Sequence, residues 1–219
     1  MADHPRSPVD AAERETARLE AFSDGVFAIA ITLLILELKV PPMDTADLRA
    51  ALLARWPSYL AYLTSFGTVG VMWLNHHRIF SLIKRCDHTT LVLNLLLLLG
   101  VSVVPFPTAL VAEHLGHPGE RLAVTIYASV SVVIAVAFTG LWRYVSSRRH
   151  APPLMHVSAD SRVVRTTNAQ YRWGVPAYLV ALAIAQWSPR ASVILCLTMV
   201  LVFLFRAPVP DGDPAERLA

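Results

Sequence analysis

The sequence predicts an all-α integral membrane protein, a bundle of six transmembrane helices, and three observations carry that prediction. Of 219 residues, 55% are hydrophobic and only 16% charged, well under the roughly 25% of an average soluble domain. Apolar stretches approaching the length needed to cross a hydrocarbon core, about 20 helical residues, recur six times along the chain. Lys and Arg fall between those stretches instead of forming one patch, so the net charge of +3 describes membrane topology and not a nucleic-acid partner.

The six spans are expected at approximately 20–40, 57–75, 89–112, 121–142, 173–188 and 190–206. Residues 1–17, MADHPRSPVDAAERETA, are polar and charged. A cleavable signal places an apolar core right after a short basic start, so the first apolar run is expected to stay in the membrane. Between the first two spans, PPMDTADLRAALLARWP (41–57) sets Leu48, Leu52 and Leu53 on one side and charges on the other, the pattern of a short interfacial helix. Only Ser188, Pro189 and Arg190 separate the last two spans; they form a tight hairpin, with Pro189 opening the sixth helix where its missing N–H costs nothing. The one long connection is 143–172, and 207–219 reads as a disordered cytoplasmic tail. No internal repeat is visible, so 18–206 is one six-helix domain preceded by a cytoplasmic segment, 1–17.

Orientation follows from the basic residues. Fourteen of the nineteen lie on one side of a six-span chain: Arg6, Arg14 and Arg18; Arg78, Lys84 and Arg85; Arg143, Arg148, Arg149, Arg162, Arg165 and Arg172; Arg206 and Arg217. The other side holds Lys39, Arg49, Arg55, Arg121 and Arg190. Both termini are therefore expected in the cytoplasm. The arginines of the fourth loop are placed to meet anionic lipid head groups. Cys86 and Cys196 are too few and too embedded for a disulfide framework and are read as free thiols.

The stretch RLEAFSDGVFAIAITLLILEL, Arg18 to Leu38, sets Ser23 and Asp24 just before the apolar run of the first span. A carboxylate in a membrane helix is costly and usually faces the protein interior with a partner. Nearer the helix end it serves equally well as an N-cap for free amides. Partners at the same depth are available in the second span, from Trp73, Asn75, His76, His77 and Arg78, and at the start of the third, from Asp87, His88 and Asn94. A hydrogen-bonded knot joining the first three spans would fix the rotation of the first helix. That rotation decides where Ile29, Leu33 and Leu36 point. At about 100° per residue they share one stripe, extended by Phe22 and Val26, with Asp24 about 140° away from its centre. Pattern alone leaves two readings of such a stripe, contact with lipid or packing against another helix.

Other motifs are weaker. FGTVGVMW contains Thr68, Val69 and Gly70, which echo the start of a carbonyl filter, but a filter needs a re-entrant segment shielded by protein. Inside a continuous apolar span these small residues are read as allowing close helix contact. His76, His77, Cys86 and His88 include zinc-ligand types without a recognised spacing, and a hydrogen-bonded helix junction accounts for them as well. His114 and His117 sit in the outer loop with Glu113 and Glu120, where a histidine facing an ion path would confer pH sensitivity. No nucleophile elbow, HExxH or Ser, His and acid set is present, which argues against a membrane enzyme. A secondary transporter, the alternative function, requires a polar midplane site. Mid-span polarity here is mostly Ser and Thr, so a channel is favoured. No cofactor is called for.

The combination Arg18, Phe22, Ser23 and Asp24, R-x-x-x-F-S-D followed by GVFAIAITLLILEL, resembles the signature of the transmembrane protein 175 family of lysosomal and bacterial potassium channels. WLNHHRIF (73–80) and NLLLLLGVSVVPFPTALVAEH (94–114) resemble its second and third helices. The resemblance covers roughly 18–114 and implies a bacterial six-span subunit that assembles as a homotetramer in the plasma membrane. It implies that the first helices line the pore and that Ile29, with Leu33 and Leu36 farther out, forms a constriction of bulky aliphatic side chains beside Thr32. By the same resemblance the permeant ion is potassium, and Arg18, Phe22, Ser23, Asp24, Trp73, His77 and Asn94 anchor the pore helix without binding the ion.

Overall fold

A computed structural model describes residues 8–205, with side chains from Arg14 to Leu204. Eight α-helices follow one another among the described residues: α1 (Pro8–Leu33), which tightens into a 3₁₀ turn over Leu34–Glu37, α2 (Leu48–Ala54), α3 (Trp56–Phe80), α4 (His88–Val103), α5 (Pro105–His114), α6 (Glu120–Val145), α7 (Arg162–Ala185) and α8 (Pro189–Phe205). Three helical stretches are long and apolar enough to cross a membrane: Arg14–Glu37, His88–His114 and Glu120–Val145. The apolar α8 is shorter. The helices α3 and α7 are long but carry polar turns, NHHR in α3 and RTTNAQYR in α7.

Several boundaries differ from the sequence expectation, each for a local reason. The first helix already runs from Pro8, the first described residue, and not from near residue 20, because hydropathy marks where a helix becomes apolar and not where it starts. AAERETARLEA is polar but made largely of good helix formers. Asp24 is thus in mid-helix, which rules out the N-cap reading. The span expected at 89–112 is interrupted between α4 and α5. Pro105 and Pro107 have no N–H to donate; Val104 bonds back only three residues, to Val101 O at 3.1 Å, and the regular pattern resumes with Thr108 N–H to Val104 O at 3.2 Å. The fifth span's helix starts at Arg162 instead of 173, capped by the Ser161 hydroxyl, which accepts from Val164 N–H. That shortens the fourth loop to 146–161.

A helix is present within 41–57 as α2, with the Asp47 side chain accepting from Ala50 N–H at 3.0 Å. The calls on Arg6, Arg206, Arg217 and the tail 207–219 lie outside the described residues. Thr68, Val69 and Gly70 are helical within α3, and the Thr68 hydroxyl bonds the Thr64 carbonyl at 2.7 Å; a carbonyl filter is excluded there. Cys86 and Cys196 are free thiols.

Two apolar clusters hold the bundle. The larger joins Phe27 and Leu34 of α1 to Val69 of α3, Leu97 and Val101 of α4, and Ile134 and Trp142 of α6. The smaller joins Ala61, Val111, Tyr127, Ala181, Ala185, Val193 and Cys196. Among membrane helices the driving force is close packing more than water exclusion, which favours small residues at contacts. Gly67 and Gly100 show why: an added Cβ would stand 2.6 Å from Val200 Cγ1 and 2.8 Å from Ile134 Cγ1. The 146–161 loop folds back under the α3–α4 turn, with Lys84 N–H to Leu154 O at 2.8 Å and His156 N–H to Leu82 O at 2.9 Å.

Candidate functional site on the first helix

The first helix has two chemically different sides. Ser23, Phe27, Ala30 and Leu34 are buried and recur at i, i+4, i+7 and i+11, the spacing of one helical face. The opposite side is open: Phe22 is 55% exposed, Ile29 62%, Leu33 42% and Leu36 66%. The stripe read from the sequence therefore lies on the outside of the subunit. Val26, assigned to its cytoplasmic end, is only half-exposed and packs against the core. Thr32 sits beside the stripe, its hydroxyl shared between Ala28 O at 2.9 Å and Ile29 O at 3.0 Å.

Hydrogen bonds fix that rotation. On the inner side, Asn94 of α4 donates from Nδ2 to Ser23 Oγ at 2.9 Å, and the Ser23 hydroxyl donates to Leu19 O at 2.8 Å. His76 of α3 reaches Asn94 Oδ1 at 2.9 Å. An amide oxygen only accepts, so His76 carries its proton on Nε2. The donors then run in one direction, from His76 through Asn94 and Ser23 to the backbone of α1. All three side chains are fully buried. The His76 ring is held by stacking on Phe80 at 4.2 Å and by Phe27 at 5.3 Å; its Nδ1 has no hydrogen-bond partner.

A second row lies closer to the surface. Trp73 donates from Nε1 to Asp24 Oδ1 at 2.9 Å, and His77 Nδ1 meets Glu20 Oε1 at 2.9 Å. Each pair occupies i and i+4 of its helix, and the two helices run antiparallel, so one register satisfies both contacts. Trp73 also stacks on His77 at 6.1 Å.

Five of the seven predicted anchoring residues thus meet partners: Ser23, Asp24, Trp73, His77 and Asn94. Phe22 lies exposed with the stripe, and Arg18 is exposed with no partner among the described residues. Glu20 and Phe27 were missed. The signal for Glu20 was its place four residues before Asp24, matching the Trp73 and His77 spacing.

Neighbouring candidates are accounted for as well. Among the described residues no cluster of three or more metal-ligating side chains exists; His88 is exposed. Asp87 caps α4, accepting from Thr90 N–H at 2.8 Å and from the Tyr144 hydroxyl at 2.5 Å. Partial burial by itself raises the Asp87 carboxyl, but the bonds from Tyr144 and Thr90 outweigh it and leave the group below its usual value. At the other end of α1, beyond its 3₁₀ turn, Lys39 pairs with Glu113 of α5, and Arg55 donates to Lys39 O at 2.5 Å. His114 bonds back to Leu110 O at 3.1 Å, and His117 is exposed.

Comparison with known proteins places this geometry. The model of the endosomal/lysosomal potassium channel TMEM175 matches residues 18–105. A potassium channel of Chamaesiphon minutus is 49% identical over 203 residues, covering 91% of this chain and 98% of the relative. The chain belongs to the TMEM175 family. A potassium channel of Streptomyces collinus is 41% identical over 204 residues, covering 92% of this chain and 98% of that one. The crystal structure of a lysosomal potassium-selective channel TMEM175 homolog from Chamaesiphon minutus superposes with a TM-score of 0.79, at 48% identity, covering 90% of this chain and all of that one. This TMEM175 protein is accordingly a multi-pass membrane protein of an ion-channel family, and not an enzyme.

Proposed function

We propose that this TMEM175 protein is a potassium-conducting cation channel of weak to moderate selectivity in a bacterial plasma membrane. Four copies assemble around an axis lined by α1, and Ile29, Leu33 and Leu36 form an apolar constriction, with Thr32 offering oxygen beside it. The observation that carries this reading is the contrast between the two sides of α1: bulky aliphatic side chains stand open while every buried polar contact lies behind them. A single subunit cannot enclose a path around an outward stripe. Closed cyclic symmetry supplies the remaining walls. The two full-length potassium-channel relatives support the ion assignment.

In this assembly α1, α3, the joined α4 and α5, α6, α7 and α8 make six crossings. At about 1.5 Å per residue, the 25 residues of α3 and 24 of α7 are long enough for a core of roughly 30 Å. The 17 residues of α8 approach it. The channel domain runs from 18 to 206, with both termini in the cytoplasm on the excess of Lys and Arg at that face and lipid around the rim. The permeant ions are monovalent cations, and no cofactor is required.

An apolar ring has no carbonyl cage with which to replace water around an ion; hydrophobic constrictions gate by dewetting. Selection then rests on the cost of shedding water, which is smaller for potassium than for sodium. The test is bilayer recording of purified protein in mixed potassium and sodium. Ile29→Asn is expected to raise conductance and bring the two permeabilities together. Unchanged currents would remove Ile29 from the ion path, and equal permeabilities in the unaltered channel would end the dehydration account.

A further inference from the structure

Between α4 and α6 the surface of the subunit carries a groove of about 630 Å³. Leu93, Leu96 and Leu99 of α4 and Val133, Val136 and Gly140 of α6 line it, and of these Leu96, Leu99, Val133 and Val136 stand exposed. The one polar side chain in its lining, Ser129, spends its hydroxyl proton on Thr125 O at 2.7 Å. Along its walls the groove therefore offers hydrocarbon contact and nothing else. Its length is selective. The lining runs from Leu93 to Val103 on α4 and from Ser129 to Gly140 on α6, about 15–17 Å at 1.5 Å per residue, which is half of a hydrocarbon core of roughly 30 Å. One end stops at Val103, where α4 gives way to the proline-bearing start of α5. A helix of a neighbouring chain would ask for the full depth of the membrane; an acyl chain of a single leaflet asks for half.

The other end carries a charge. Gly140 is the last residue of α6 in the lining, and an added Cβ there would meet nothing within 4 Å. Arg143 follows about one turn later, within about 20° of Val136 round the helix. It is exposed and has neither an acid nor a hydrogen-bond partner among the described residues. Asp87, the carboxylate at the same end, is already taken up by Tyr144 and Thr90. We propose that the groove holds one acyl chain of an anionic phospholipid whose phosphate meets Arg143. The apolar walls take the chain, and a guanidinium is suited to bind a phosphate through two parallel hydrogen bonds. The site requires only that α4 and α6 lie in the membrane; it does not depend on the pore reading above.

Native mass spectrometry of the purified full-length protein, titrated in detergent with phosphatidylglycerol or with phosphatidylcholine of the same chains, counts the lipids bound per subunit. Saturable binding of phosphatidylglycerol is expected, about fivefold tighter than phosphatidylcholine, the increment of one basic residue beside an anionic head group. Arg143→Gln should bring the two lipids together. Arg162→Gln, at an exposed arginine that opens α7, should keep the preference. Gly140→Leu favours the helix, fills the end of the groove and should weaken both lipids severalfold. Should it not fold, as judged by size-exclusion chromatography, Arg143→Gln decides. Equal binding of the two lipids by the unaltered protein, a preference that survives Arg143→Gln, an equal loss in Arg162→Gln, or unchanged binding in folded Gly140→Leu overturns the proposal. So does a groove closed by a second copy, read as no saturable lipid on the assembled protein and loss of assembly in Gly140→Leu. Current is not measured, so the result is independent of whether α1 lines the pore.

Discussion

The Trp73 indole donates to Asp24 Oδ1 at 2.9 Å, tying mid-α3 to mid-α1 one turn before the exposed Ile29. This bond and its neighbour, His77 with Glu20, set the register of two antiparallel helices. Trp73→Phe keeps the ring and removes the donor. With the pair partly exposed, the loss should be about 1 kcal/mol, read as a lowered unfolding midpoint in detergent. Asp24→Asn retains the accepting oxygen and should lose less; a larger loss would mean the carboxylate has another task.

Asn94 is the middle of the buried chain from His76 to Ser23. Replacing it with Leu strands the buried His76 ring N–H and removes the bond that Ser23 Oγ accepts, although the Ser23 hydroxyl keeps its bond to Leu19 O. The cost is expected at about 2–4 kcal/mol, against about 1 kcal/mol for Ser23→Ala, where the amide loses only an acceptor. Denaturant or thermal unfolding compares the two; equal effects would show that the chain does not act as a unit.

If the α1 stripes of four copies meet, Leu33→Cys should form an intersubunit disulfide under mild oxidation. The background is low, because Cys196 is buried and burial pushes the Cys86 thiol above its usual value, which slows both. A dimer band on non-reducing gels is the expected result. Monomer alone, with Leu33→Cys freely labelled by a lipid-phase reagent, would turn the stripe outward.

Asp87 gives a pH dependence with a definite sign. Its folded carboxyl lies below the ordinary value of about 3.9, so its contribution is present above that value and is lost as pH falls through the folded one. Unfolding at pH 7 and near pH 3 should therefore differ less in Tyr144→Phe, which lacks the hydroxyl that Asp87 accepts from, than in the unaltered protein. An unchanged difference would place the acid sensitivity elsewhere.

Glycines of α3 separate packing from propensity. Gly67→Ala drives a methyl to 2.6 Å from the stiff, β-branched Val200 and should destabilise by about 1–3 kcal/mol. Gly70→Ala meets nothing within 4 Å and should stabilise by about 0.5–1 kcal/mol. Thermal unfolding of both variants reads the sign; matching signs would refute the close α3–α8 contact.

The sequence by itself determined the helical membrane class, the family and part of the anchoring knot, Ser23, Asp24, Trp73, His77 and Asn94, because polar side chains at one depth of apolar helices have few partners besides each other; Glu20 and Phe27 were missed, and Arg18 and Phe22 stand outside. It also determined which side chains share a stripe, since that follows from 100° per residue. Helix ends escaped it: the first helix is already formed at Pro8 and α7 starts at Arg162, well outside the apolar runs, where backbone hydrogen bonding continues regardless of polarity. Only the tertiary structure decided that the stripe faces away from the bundle while Ser23 faces in. A helix's own periodicity fixes the relative angles of its residues, but its absolute rotation is set by what α3 and α4 present to it.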